Sequence, residues 1–424
     1  MRFAGESVRR GALLSAGGMD GMKRGTDMRR SFAWILYLLP MLLVGQAAAQ
    51  VTIAATADLH VNPAVRGTSF VNPLEPIHMQ ITDAFLWDAA QQGADVVLLL
   101  GDNTNQGRLA QHQALIPMLK KAEEADCRVL VLPGNHDIGE VSAQQFAELY
   151  ADFGYEEAYS RDPSSLSYSV LLGDHLLLML DTGGYASRNQ TAELTQQTLT
   201  WMRSQLELAQ RKGWPVMAAG HYPLITEQAC EFIGKEEALR LFEAYGVRLY
   251  LSGHLHKRCV TLRDGLTELV VDQAVAYPCA YALLTADDEG GYRYQPRSIA
   301  MSQWAGLTGQ SDPNLAHFDA YQTQLERERY RNIVQQLKRD SGVTPEEQQL
   351  AEDFFWSMMD ARAQGTLSRY ADALSVHPGC EIMIRLAEGT IYHRWIPAVL
   401  ADAVPYTAGF TLTDEGIEAT EEGA

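Results

Sequence analysis

The sequence predicts an α/β fold with a helical appendage, on three observations. Between residues 51 and 132, apolar runs of strand length alternate with segments of helical period. The alternation continues to about residue 253 and then gives way to short strands joined by Gly and Asp turns. Beyond about residue 305, charged segments of helical period take over.

Taken in order, "VTIAATA" from residue 51 is a strand, residues 77–92 a helix, "DVVLLL" a strand, residues 106–125 a helix and "RVLVL" a strand. Two more apolar strands follow, "SLSYSVLL" and "HLLLML". A helix across 191–211, a strand at "PVMAAG", a helix around 234–245 and a strand at "VRLYLSG" complete the alternation. Strands separated by helices of this length imply a largely parallel sheet covered by helices. The later strands "RCVTL", "LTELVV", "AYALLTA" and "YRYQPRSI" suggest antiparallel meanders that close a domain at residues 50–305.

Residues 306–408 read as a small helical domain. "NLAHFDAYQTQLERERYRNIVQQLKRD", "TPEEQQLAEDFFWSMMDARAQG" and "LSRYADALSV" carry Asp, Thr or Ser near their starts and Gly near their ends. Its expected role is to stabilise the domain before it. Residues 409–424, which include "TDEGIEATEEGA", are acidic and apolar-poor and are expected to form a disordered tail.

Residues 1–49 form an N-terminal extension and signal peptide. Arg29 and Arg30 precede the apolar run "FAWILYLLPMLLVG", and Ala47, Ala48 and Ala49 offer a cleavage site. The run is short for a membrane anchor and contains Pro40. Export without stable membrane insertion is therefore expected, with cleavage after Ala49. The extension holds seven basic and three acidic residues, so its removal takes the formal charge from −19 to −23. So acidic a chain argues against holding nucleic acid or an anionic membrane by charge. Any phosphate it handles needs a local positive charge, and a metal would supply one. The five cysteines, Cys127, Cys230, Cys259, Cys279 and Cys380, form no CxxC pair, so the fold does not rest on a disulfide framework.

The polar residues gather where predicted strands stop. Asp58 and His60 end the first, Asp102 the second, and Asn135, His136 and Asp137 follow "VLPG" after the third. "MAAGHYP" contributes His221, and "YLSGHLH" contributes His254 and His256. In open α/β sheets ligands bind at the carboxyl ends of strands. A mixed His/Asp/Asn set suits a first-row metal pair, and a carboxylate such as Asp102 has two oxygens with which to bridge two cations. In a strand, the D-x-H spacing would also place Asp58 and His60 on one face.

The series D-x-H, GD, GNHD, GH and GHxH, in that order across residues 51–300, resembles the calcineurin-like metallophosphoesterase family. Each piece alone is weak, but five in order at strand ends form a specific pattern. The resemblance implies a sandwich of β-sheets flanked by helices and a dinuclear centre of Mn, Fe or Zn. One ion would be held by Asp58, His60 and His256, the other by Asn135, His221 and His254, with Asp102 between them. It further implies that His136 contacts the substrate phosphate or protonates the leaving oxygen, and that Asp137 orients His136 through a hydrogen bond. The implied activity is hydrolysis of a small phosphoester, a phosphodiester first, with a phosphomonoester, a cyclic nucleotide or a non-catalytic scaffold as alternatives. His112, Asp181 and Tyr222 are further residues that could approach the cleft.

Overall fold

The computed structural model describes residues 50–420, apart from 66, 68–71, 184–190, 229, 338–341 and 402. The expected signal peptide lies outside the described residues. Among those described, no helix is long and apolar enough to cross a membrane.

The alternating part opens with β1 (Val51–Thr56), α1 (His78–Gln91), β2 (Val96–Leu100), α2 (Leu109–Glu123), β3 (Arg128–Leu132) and α3 (Ala143–Leu149). Next come β4 (Ser160–Arg161), β5 (Tyr168–Leu172), β6 (His175–Leu180), β7 (Ala192–Glu193), α4 (Gln196–Lys212), β8 (Val216–Gly220), β9 (Phe232–Ile233), α5 (Lys235–Tyr245) and β10 (Leu249–Ser252). Then follow β11 (Cys259–Arg263), β12 (Leu266–Val270), β13 (Ala280–Ala286) and β14 (Tyr292–Ser298). The helices begin and end where local chemistry directs. Thr195 caps α4 by accepting from the Thr198 amide at 3.1 Å, and Gly213 closes it at φ 70°.

Apart from the short parallel pair β7–β9, the strands form two facing mixed sheets, the sandwich that the resemblance implies, rather than the one largely parallel sheet that the alternation alone suggests. The first has seven strands, in which β1, β2 and β3 are parallel and β13 joins β1 antiparallel. The second, in the order β11-β12-β10-β8-β6-β5-β4, has β6, β8, β10 and β12 parallel at its centre. Between them lies one core, to which the first sheet contributes Ile53, Leu98 and Leu130 and the second Leu177, Met179 and Leu251. Leu176, Leu178 and Leu180 point the other way along β6 and pack with Met202 and Leu206 of α4 and Phe242 of α5. Successive side chains thus serve opposite faces, both of them buried, and this explains the unbroken apolar strands of the sequence.

The carboxyl part comprises α6 (Met301–Leu307), α7 (Pro313–Ala316), α8 (Phe318–Leu337), α9 (Pro345–Ala363), α10 (Leu367–Ser375), α11 (Pro378–Leu386) and α12 (Tyr392–Ala401). Helices α8 to α12 enclose their own core, which includes Val334, Phe354, Met358, Met383 and Ile396. The change of texture near residue 305 is not a packing boundary. Trp304, Leu315 and Phe318 belong to the core of the sheets, and the Trp304 indole donates to Asp83 of α1 at 3.0 Å.

The tail expected to be disordered from residue 409 is ordered through most of its length. Strands β15 (Phe410–Thr413) and β16 (Gly416–Ala419) form a hairpin that extends the first sheet past β14. Its acidic composition hides a short alternation: Phe410 and Leu412 are buried, with Ile417 packed against the same core. Residues 421–424 lie outside the described part. Cys259 and Cys279 are not bridged, and all five cysteines are free thiols.

Candidate metal centre

The predicted ligands lie just beyond the strands, in turns of unusual backbone. β1 stops at Thr56, and Asp58 and His60 follow with φ of 58° and 44°. Asp102, His254 and His256 adopt φ of 51°, 69° and 51° after β2 and β10. Five of the eight non-glycine residues with positive φ among those described are therefore candidate ligands. Left-handed backbone is costly for such residues and gathers where a site requires it. The alternation invoked for the D-x-H spacing is accordingly not what brings Asp58 and His60 together. The turns do so.

Two ligand groups share one carboxylate. Ligand atoms of Asp58, His60, Asp102 and His256 lie within 4.8 Å of one another, as do those of Asp102, His221 and His254. Asn135 joins the second group, its Oδ1 3.1 Å from His221 Nε2. Asp102 Oδ2 lies 3.8 Å from His60 Nε2 and 3.4 Å from His221 Nε2, so it faces both. All seven predicted ligands converge: Asp58, His60, Asp102 and Asn135 follow strands of the first sheet, and His221, His254 and His256 follow strands of the second.

 Each sheet supplies part of both groups, and neither sheet alone holds a complete set.

The donor set fits a pair of cations. His60 Nε2 and His256 Nε2 stand 3.1 Å apart, and Asp58 Oδ1 is 3.3 Å from His256 Nε2. Asp58 Oδ1 is also buried without a hydrogen-bond partner. Two imidazole nitrogens in close approach beside an orphaned carboxylate oxygen are a donor set that a bound cation would satisfy, and imidazole mixed with carboxylate and amide oxygen suits first-row metals. Burial pushes His60 down to about 4, against the pull of Asp102 and Asp58. Burial, reinforced by His221, likewise pushes His254 down to about 4. Both rings are therefore neutral at pH 7, with a lone pair to offer. Burial would lower His221 too, but the Asp102 carboxylate overcomes it and holds His221 up at about 9 in the absence of metal.

His136 sits at the mouth, its side chain 43 % exposed and its Nε2 4.0 Å from Asp102 Oδ2. Its Nδ1 lies 2.7 Å from the Asn105 carbonyl, which leaves Nε2 for a ligand. The expected hydrogen bond from Asp137 to His136 is absent. The Asp137 carboxylate is buried and accepts from the amides of Asn103, Thr104 and Gly134, the Asn103 side-chain amide and the Thr104 hydroxyl. Asp137 is thus a brace between the loops after β2 and β3. Asn103, directed to that brace and to the Leu132 carbonyl, turns away from the cleft.

Glycines permit this closeness. A Cβ on Gly134 would lie 2.3 Å from the Asp102 amide nitrogen and from its Oδ1. One on Gly253 would lie 2.3 Å from the Ala57 Cβ. Gly253 accommodates a neighbouring side chain, and the sharp turn that follows is made by His254 itself.

A family model described as calcineurin-like phosphoesterase matches residues 51–258. Residues 51–258 belong to that family. The chain is accordingly a metal-dependent phosphoester hydrolase. No curated protein matches the chain significantly. Among solved structures it is similar to a dimetal phosphatase from Danio rerio, at 13% identity and a TM-score of 0.46, covering 59% of this chain and 96% of that one. It is also similar to the purple acid phosphatase PPD1 from yellow lupin (Lupinus luteus) seeds, at 14% identity and a TM-score of 0.43, covering 60% and 52%.

The remaining candidates of this phosphoesterase lie behind the ligands. His112 is buried between the Tyr150 hydroxyl at 2.9 Å and the Asp137 carbonyl at 3.1 Å. Asp181 accepts from the Leu166 amide at 3.1 Å and joins neither ligand group. Tyr222 packs its ring against His254, centroids 4.2 Å apart. Two residues were not singled out by the sequence. The Thr182 hydroxyl accepts from the amides of His221 and Tyr222, and buried Glu268 accepts from the amides of Leu224, Ile225 and Thr226. Both fix the His221 loop, and neither belongs to a motif that could have marked it.

Proposed function

We propose that the chain is an exported phosphodiesterase whose dinuclear centre is held by Asp58, His60, Asp102, Asn135, His221, His254 and His256. The observation that carries the hydrolytic reading is the position of Asp102 Oδ2, which faces both ligand groups while His136 stands beside them at the mouth. When bound, the ions supply Lewis acidity toward the phosphoryl group. Asp102 fixes the approach of His136 by accepting its backbone amide at 2.7 Å. His136, anchored through Nδ1, presents Nε2 to a phosphoryl oxygen or moves a proton from Nε2 to the leaving oxygen. Burial of Asp58, Asp102 and His221 excludes water from the inner side of the centre.

The GNHD and GHxH pattern supports a diester, and so does a cavity of about 540 Å³ beside the centre, far roomier than one phosphoryl group. Arg29 and Arg30, the apolar run and Ala47–Ala49 support export. The test is hydrolysis by the mature chain from Gln50, reloaded with manganese, of a chromogenic phosphodiester beside the matching monoester. Chelator-sensitive turnover favouring the diester is expected. Preference for the monoester would make the protein a phosphomonoesterase, and two bound metals without turnover would leave a scaffold. Export predicts an amino terminus at Gln50, and an uncleaved cytoplasmic chain would refute it.

A further inference from the structure

The cavity beside the centre is walled by more than the phosphoesterase domain. It runs from His60, His136 and His256 to Tyr330 on α8 and to Met359 and Arg362 on α9. Its volume of about 540 Å³ falls in the range of small-molecule sites. The α9 wall is tied down, since the Tyr277 hydroxyl donates to Asp360 and the Thr407 hydroxyl donates to the Gly365 carbonyl at 2.8 Å.

Charge in this wall departs from that of the chain, where 53 acidic residues outnumber 34 basic ones. Lys257, Arg258, Arg329 and Arg362 line the cavity with only three carboxylates, Glu75, Asp272 and Glu326. Asp272 is held by the buried Arg258 guanidinium, with Nε to oxygen distances of 3.1 and 3.0 Å. Glu326 is held by Arg329. Among the described residues neither Lys257 nor Arg362 forms an ion pair, so the uncommitted positive charge is theirs, against Glu75 alone. The Arg362 guanidinium carbon lies 5.4 Å from the Trp395 ring centroid, which steadies the group. Tyr277, Tyr330 and Met359 offer apolar surface in the same wall.

We propose that Lys257 and Arg362 form an anion subsite in the wall of this cavity, so that the substrate is a phosphoester whose organic part carries a second anionic group. The inference rests on the phosphodiesterase reading and narrows its substrate class. The helical segment is then part of the substrate site as well as a support. An organic body lies along Tyr277 and Tyr330, and its phosphate or carboxylate meets the two cations.

Calorimetric titration of the manganese-loaded chain with phenylphosphonate, 4-phosphonobenzoate and 1,4-phenylenebisphosphonate tests this without turnover. The bisphosphonate, the phosphonobenzoate or both should bind about tenfold more tightly than phenylphosphonate, as expected for an added charge-assisted contact. Which of the two gains more tells phosphate from carboxylate. The gain should collapse in Arg362→Met and in Lys257→Met. Equal binding of all three by the unaltered chain would overturn the subsite, and that result needs no variant to fold. A gain that survives in both variants would overturn the assignment to these residues. If phenylphosphonate binds and esters are turned over but the second anion adds nothing, the subsite alone fails. If no phosphonate binds and no ester is hydrolysed, the phosphodiesterase reading fails with it.

Discussion

The Asp102 carboxylate performs two tasks with two oxygens: Oδ1 accepts the His136 backbone amide at 2.7 Å, and Oδ2 lies 3.4 Å from His221 Nε2. One side chain therefore joins the loop after β3 to the ligand cluster. Asp102→Asn keeps an acceptor for the His136 amide and removes the charge. It should lose metal, measured by elemental analysis, with a smaller fall in Tm than Asp102→Ala, which also frees the loop. Equal metal content in wild type and Asp102→Asn would contradict the bridging role.

His136 lies outside both ligand groups. His136→Ala should keep its metal and lose about 10²- to 10⁴-fold in kcat with poor leaving groups, the usual range for a positioned acid. Steady-state kinetics across esters of graded leaving-group pKa checks this, and turnover that survives with the poorest leaving group would remove the acid role.

Asp137 distinguishes a brace from a catalytic orienter. Its carboxylate accepts from five donors, and truncation would leave buried N–H groups without partners. Asp137→Ala should cost on the order of 3 kcal/mol, read from urea unfolding. A variant that loses turnover at unchanged stability would restore the orienting role.

Gly134 is forced by contact with backbone as well as side chain. Gly134→Ala should destabilise by about 1 to 3 kcal/mol, as overpacking does, and should lower metal content because Asp102 must move. Thermal unfolding together with metal analysis measures both effects.

Asp162 gives the acid side of stability a defined source. Burial alone would raise its pKa, but the hydroxyl of Ser165, the amide of Ser164 and the hydroxyl of Thr198 outweigh it and hold Asp162 below its ordinary 3.8. A depressed carboxylate stabilises the fold above its unfolded pKa, and that contribution fades as pH falls through the folded value. The stability difference between wild type and Asp162→Asn should be constant near neutrality and should shrink below about pH 3.8. Urea titrations from pH 7 down to about 3 would show it, and a difference independent of pH would contradict it.

Much of the site was legible because ligand chemistry is written in residue type and in position after a strand. That pattern gathered Asp58, His60, Asp102, Asn135, His221, His254 and His256 together with His136 and Asp137, the family resemblance separated the seven ligands from the other two, and the structure brings the donor atoms of the seven together. The role of Asp137 was not legible, since a carboxylate beside an imidazole in sequence can point to either side of its turn. Phe410, Leu412 and Ile417 were too few among acidic neighbours to mark a hairpin. Their burial depends on β14, a strand more than a hundred residues earlier in the chain.

The sequence by itself determined the longer strands and helices before the carboxyl-terminal hairpin and the order of polar residues at strand ends, because periodicity and turn chemistry act over a few residues. Only the tertiary structure decided which strands go to which sheet of the sandwich, with Asp58, Asp102 and Asn135 after strands of one and His221, His254 and His256 after strands of the other. It also decided that α8 and α9 wall the cavity beside them. Strand pairing, left-handed turns and helix docking are settled by contacts between distant segments, and no local pattern records which segments those will be.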